Sequence, residues 1–154
     1  MITFKETNDL NKDQLYNLFN LVGWIKSPDN KPATMEIVDS IANDTLFIDA
    51  EDKDDVLYDS FKNSTYVLSA WDNNKLIGIA RVLTDKTTRS VIYDLAVLPT
   101  YQRQGIGKKL VEKCLEKFPK TQFTLGTSSK NFPFYEKFGF EKSANYLEKK
   151  SLFF

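Results

Sequence analysis

The chain has 154 residues, 21 acidic and 21 basic side chains, a single cysteine and no histidine. Such a length suits one domain, 1–154, with a core of its own, and the balanced charge leaves no net field to draw the protein onto nucleic acid or an anionic membrane. The residue inventory excludes an internal disulfide and a clustered zinc site, so chemistry must come from carboxylate, tyrosine, lysine or backbone groups.

The opening residues, MITFKETNDL, hold no apolar stretch of signal-peptide length. No run approaches the roughly 18 apolar residues of a membrane span, so a cytoplasmic location is expected. "ITFKE" alternates like a strand with one covered face. In "NKDQLYNLFNLVG", Leu15, Leu18, Phe19 and Val22 recur at helical spacing, with Asn11 as cap and Gly23 as stop. "KPATMEIVDSIAN", with proline in its first turn, predicts a second helix over 31–43. The acidic stretch that follows, 48–63, reads as a loop with a short helix.

From Ser64 the β signals strengthen. "STYVLSAW", the turn "DNNK" and "LIGIARVLTD" form a hairpin, and "DKTTR" leads into "SVIYDLAVLP", completing an antiparallel meander. A helix from Gly105 to about Phe118 places Ile106, Leu110, Cys114, Leu115 and Phe118 on one side, and Pro119 ends it. "TQFTLGTS" is a further strand, "NFPFYEKFG" a short helix closed by Gly139, and 140–154 a final strand pair. The predicted class is α+β, with helices on the faces of a sheet.

"YQRQGIG" joins the meander to the long helix. Unpaired amides and the dipole at a helix start favour a bound anion, and residues without side chains let a phosphate approach the backbone. Gly105 and Gly107 give that access, while Arg103, Lys108 and Lys109 add positive charge. Two glycines also suit a plain strand-to-helix turn. The spacing fits neither a Walker loop, which needs four residues between its glycines followed by lysine and serine or threonine, nor a dinucleotide fingerprint, whose third glycine would fall at Leu110.

Gln102-Arg103-Gln104-Gly105-Ile106-Gly107, following "DLAVLPTYQ", resembles the acyl-coenzyme A signature of the GNAT N-acetyltransferase superfamily. "NFPFYEKFGF" is similar to that family's later segment, in which a tyrosine precedes a Gly-Phe pair. Within the superfamily, "GWIK", "AWDNNKLIGIARVLTD" and "IYDLAVLPTYQRQGIGKKLVEK" look most like the plant and cyanobacterial type of arylalkylamine (serotonin) acetyltransferase.

The resemblance implies a mixed, mostly antiparallel and splayed sheet, with acetyl-CoA wedged between "VIYDLAV" and "QFTLGTS" and no metal. It places the pyrophosphate on the backbone of the segment Gln102, Arg103, Gln104, Gly105, Ile106, Gly107 and Lys108. The pantetheine arm would lie along the backbones of Leu95 and Val97, and Asn131 would either bond it or cap the next helix. The amide of Val97, freed by a bulge, would serve the oxyanion.

Attack on a thioester requires an amine that has lost its proton. A carboxylate inside the apolar run "VIYDLAVL" is costly without a partner or a task, so Asp94 is the candidate base or ammonium-positioning group. Tyr135 is the candidate acid for the departing thiolate. Cys114 falls on the helix's apolar side, which favours direct transfer in a ternary complex. Trp24, Tyr93 and Phe47 could line an aromatic amine pocket, and Asp49, Glu51, Asp52, Asp54 and Asp55 could draw a cationic acceptor. The expected partners are acetyl-CoA and a small amine, with a homodimer possible. A protein amino group as acceptor and a non-catalytic acyl-CoA sensor stay open as alternatives.

Overall fold

The computed structural model describes residues 1–25, 53–143, 145, 147 and 149. The helix expected over 31–43, together with Phe47, Asp49, Glu51 and Asp52, lies outside the described residues.

Five strands form one sheet in the order β1-β2-β3-β4-β5: Ile2–Glu6, Tyr66–Asp72, Lys75–Thr84, Arg89–Val97 and Gln122–Leu125. The first three junctions are antiparallel and β4 pairs β5 in parallel. This is the mixed α+β sheet the sequence predicts. Its tight connections are side-chain driven. Asn73 takes positive φ in the β2–β3 turn, and the Asp85 carboxylate accepts from the amides of Thr87, Thr88 and Arg89 to shape the β3–β4 turn.

Helix α1, Lys12–Leu21, starts where Asn11 Oδ1 accepts from the Gln14 amide at 3.0 Å, and it stops before Gly23 at φ 79°. Helix α2 spans Lys53–Lys62, longer than the short helix in a loop that the acidic composition suggests. Leu57 and Phe61, four residues apart, are both buried, and this apolar pair decides the conformation. Helix α3, Ile106–Lys117, buries Ile106, Leu110, Val111 and Cys114, and Phe118 follows in the core. Helix α4, Phe132–Glu136, is one turn extended from a 3-10 turn at Ser129–Asn131.

The helices cover both faces of the sheet. A Cβ at Gly78 of β3 would meet Ile106 and Leu110 of α3, so that face of β3 belongs to α3. Side chains alternate along a strand, and Arg81, three residues on, lies against Phe61 of α2 on the opposite face. Phe61 in turn stacks edge-on with Phe19 of α1 at 5.5 Å.

The final strand pair is not seen. The described residues from Phe140 to Lys149 carry no strand, and the rest of that stretch lies outside the described residues. Leu147 is wholly exposed there, so the apolar residue that would give a strand its covered face has nothing to pack on.

Candidate active site

The β4–α3 connection is built to present backbone donors. After Leu98, a 3-10 turn at Pro99–Tyr101 is closed by the Gln102 amide on the Pro99 carbonyl. Arg103 at φ 63° and Gly105 at φ 81° then turn the chain through the left-handed region into α3. Among the described residues, no group accepts from the amides of Arg103, Gln104, Gly105, Ile106, Gly107 or Lys108; the Lys109 amide is the first to close a helical bond, on Gly105. No acidic residue sits in the first turn. Lys108 shares its charge with Glu112 at 3.6 Å, while Arg103 is exposed.

Two side chains of this segment brace the loop itself. Gln102 Nε2 donates to the Val97 carbonyl at 3.0 Å and Gln104 Nε2 to the Thr100 carbonyl at 3.1 Å. Ile106 packs inward, so it offers a ligand only its amide.

The adjoining edge of β4 is open. The β4–β5 ladder runs from Arg89↔Gln122 to Ile92↔Leu125 and ends there, leaving Tyr93 to Val97 without a strand on that side among the described residues. The Leu98 amide bonds the Ile77 carbonyl, which makes Leu98/Ile77 a hydrogen-bonded pair. Such pairs alternate in an antiparallel ladder, so Leu95 opposite Ala80 and Val97 opposite Gly78 are non-hydrogen-bonded pairs. Their amides and carbonyls therefore point away from β3 to the open edge. The Val97 amide is freed by this alternation and by the departure of β5. The strand does carry the expected bulge, at Tyr93, where Arg81↔Asp94 is followed by Val82↔Ile92.

That bulge sets Tyr93 and Asp94 together against Arg81. Arg81 Nε donates to Asp94 Oδ2, and the guanidinium carbon lies 5.2 Å from the ring centres of both Phe61 and Tyr93. Burial pushes the Asp94 carboxyl above the ordinary carboxylate range, and the Arg81 charge opposes the rise. Tyr93 is 57% exposed. Trp24 is linked to this group through aromatic rings. It stacks edge-on with Phe19 at 5.2 Å, and Phe19 with Phe61, so two rings connect it to Arg81.

On the far side of the open edge stands α4. A Cβ at Gly107 would lie 3.7 Å from both Val97 and Phe134, so the start of α3, the end of β4 and α4 converge on that glycine. Tyr135 stacks edge-on against Phe134 and Phe140, and burial pushes its phenol up to about 12. Asn131 does not cap α4. Its backbone is already helical at φ −92° and ψ −7°, where a cap residue would be extended, and its Nδ2 donates to Thr127 Oγ1 at 2.9 Å. Ser128 Oγ, in the β5–α4 connection, is buried with no hydrogen-bond partner among the described residues.

The structure thus gathers Leu95, Val97 and 102–108 into one continuous line of backbone donors and acceptors, with Tyr93 and Asp94 beside it. Arg81 is the candidate site residue that sequence reasoning missed. Its signal was present, a cation inside the apolar run "LIGIARVL" placed to face the buried acid of the next strand.

The open β4 edge running into a glycine-bearing helix start is the arrangement expected of an acyl-carrier transferase site. The sequence matches the Acetyltransferase (GNAT) domain family over residues 36–154, and the chain belongs to that family of acetyltransferase enzymes. An N-acetyltransferase of Pyropia yezoensis, ycf52, is 25% identical over 144 residues, 92% of this chain and 71% of the relative. GCN5-related N-acetyltransferase 2, chloroplastic, of Arabidopsis thaliana is 27% identical over 91% of this chain, which spans 54% of that relative's length. The fold is similar to a GNAT-family acetyltransferase of Streptococcus pneumoniae, with a TM-score of 0.67 at 26% identity over 97% of this chain and 100% of the other. A Clostridium acetobutylicum protein solved with acetyl-CoA superposes with a TM-score of 0.63 at 17% identity, covering 97% of this chain and 96% of its own.

The donor set suits that carrier. Among the described residues, six amides without acceptors and an exposed arginine match a diphosphate, the Leu95–Val97 edge matches an amide-bearing arm, and Ser128 Oγ is a buried polar atom without a partner.

Proposed function

We propose that this protein moves an acetyl group from acetyl-CoA to the primary amine of a small acceptor by direct attack in a ternary complex. The observation that supports it most is the β4 edge, where the polar groups of Leu95 and the amide of Val97 face open space in line with the amides of Arg103–Lys108, which have no partner among the described residues. Bound acetyl-CoA supplies an activated acyl thioester. The Val97 amide donates to the acyl oxygen, in the manner of an oxyanion hole. Asp94 orients the acceptor's ammonium and takes its proton, a role that its raised proton affinity suits. The Tyr135 phenol, kept protonated by burial, supplies a proton to the departing sulfur.

The rings around Arg81 favour an aromatic, arylalkyl acceptor, since Tyr93 presents an exposed face beside Asp94. A second reading has a protein amino group as acceptor. It draws on a soybean relative named histone acetyltransferase TAP1, 37% identical over 73 residues, 46% of this chain and 32% of its own length. The deciding experiment is thiol release from acetyl-CoA across arylalkylamines, polyamines, aminoglycosides and lysine peptides. Turnover confined to peptides would replace the small-amine reading, and turnover of none would remove both.

A further inference from the structure

Among the described residues, Arg81 is bound on one nitrogen only. Its Nε is committed to Asp94 Oδ2, and its two terminal nitrogens have no hydrogen-bond or ion-pair partner among the described residues. A guanidinium carries five N–H donors in a planar fork, so four of them remain for another acceptor. The side chain is 16% exposed and its terminal nitrogens reach solvent, so a ligand's acceptor atoms can take the place of water there. The partner acid is in the same condition, since Asp94 Oδ1 accepts nothing from a described residue while Oδ2 is held. Neither group is sealed off, because among the described residues only Ser128 Oγ is both fully buried and unpartnered. The pair is therefore a fixed dipole, with spare donors at one end and a spare acceptor at the other. Phe61 and Tyr93 flank the donor end.

From this we infer that the acceptor is an α-amino acid or a close relative, carrying a carboxylate a carbon or two from the amine that is acetylated. The inference rests on the amine-acetylating reading above and narrows its substrate class. The ammonium meets Asp94 Oδ1, and the carboxylate takes the terminal nitrogens of Arg81 in a bidentate pair. A zwitterion matches both ends of the dipole and adds no net charge to a poorly hydrated site. A bare amine leaves the Arg81 fork unused. The side chain of the amino acid then extends over Tyr93, which accounts for an exposed ring beside a buried ion pair.

Matched acceptors test this: tryptophan against tryptamine, phenylalanine against phenethylamine, and leucine against isopentylamine, each with acetyl-CoA. The expected result is a higher kcat/KM for the carboxylated member of the pairs that turn over, by about ten- to a hundredfold. In Arg81→Lys, which keeps the charge but loses the fork, the ratio within each pair should collapse toward unity. The ratio is the readout because a general disturbance of Asp94 lowers both members alike. Should Arg81→Lys fail to fold, the wild-type ratios decide alone. Preference for the bare amine, or equal use of both, overturns the amino-acid assignment and leaves amine acetylation standing. Turnover of no member of any pair overturns the amino-acid assignment together with the arylalkyl reading, and the wider acceptor screen then decides small-amine acetylation on its own.

Discussion

Arg81 of β3 and Asp94 of β4 are register partners whose side chains, 16% and 17% exposed, are joined through Nε and Oδ2. A partly buried pair of this kind contributes little net stability but is expensive to break, because the remaining charge is left without a partner. Arg81→Met should therefore destabilise the fold by about 3 kcal/mol in chemical denaturation. Arg81→Met with Asp94→Leu should recover most of that loss while leaving the protein without transferase activity. A double variant as active as the wild type would show that the pair only holds the sheet.

Gly105 and Gly107 sit two residues apart and matter for different reasons. At Gly105 a Cβ would meet nothing within 4 Å, yet φ is 81°. The cost of Gly105→Ala is thus backbone strain, about 1–2 kcal/mol. Gly107 has ordinary φ and its Cβ would touch Val97 and Phe134 at 3.7 Å, so alanine fits, whereas Gly107→Leu fills the gap between β4 and α4. Calorimetry with coenzyme A should show affinity falling about tenfold or more for Gly107→Leu, with thermal stability nearly retained. Unaltered affinity would detach the carrier from this helix start.

Gln102 and Gln104 turn their side-chain amides back onto the carbonyls of Val97 and Thr100. Their contribution to binding is then to hold the loop's amides in place. Gln102→Leu should raise the dissociation constant of coenzyme A several-fold, about what one hydrogen bond is worth. Its dependence on salt should stay that of the wild type, because no charge is removed. A steeper loss, of the size caused by removing Arg103, would mean that the Gln102 side chain meets the ligand itself.

Tyr135 is held protonated by burial, with its phenol pushed up to about 12. A donor works in its protonated form, so its contribution to turnover is lost only as pH rises through that value. The pH profile of kcat should rise with deprotonation of base and amine and show no descending limb below about pH 11, where an ordinary tyrosine would bend it near 10. Tyr135→Phe should lower kcat by about a hundredfold with little change in coenzyme A affinity. The same shift has a stability consequence. The folded value lies above the unfolded one, so the stabilisation is complete below pH 10 and is lost between about 10 and 12. Thermal melts of Tyr135→Phe should fall less steeply over that interval.

Sequence patterning located β4 and α3 because apolar residues at period two or near 3.6 report one covered face, and it located β2 and β3, buried on both faces, as continuous β-rich apolar runs bounded by turns. It misjudged α2, since acidic composition masked the Leu57–Phe61 pair that fixes the helix against α1. Gly105 and Gly107 were legible because positive φ and close approach leave few residue choices. The Arg81–Asp94 pair was half legible. Asp94 stood out as an acid in an apolar run, but its partner depends on register, and the bulge at Tyr93 shifts that register by one residue in a way no local pattern encodes. Asn131 was visible as a polar residue before a helix, yet the preceding 3-10 turn had already set its backbone helical and directed its amide to Thr127.

Cys114 lies wholly inside, against the sheet under α3, and burial together with the Glu6 charge pushes its thiol up to about 12. A thiol in that state has almost no thiolate at neutral pH and no access to an acyl donor, so it cannot carry the acetyl group between two half-reactions. Native protein should fail to react with an aromatic disulfide reagent and should release one equivalent of thiol on denaturation. Mass spectrometry after incubation with acetyl-CoA, in the absence of acceptor, should show no added acetyl group on Cys114. Cys114→Ala should cost about 1–2 kcal/mol from the small cavity and retain turnover. Initial-rate plots at several acceptor concentrations should intersect, as a ternary complex requires. Parallel lines, or an acetylated cysteine, would require a covalent route through a residue that the core keeps closed.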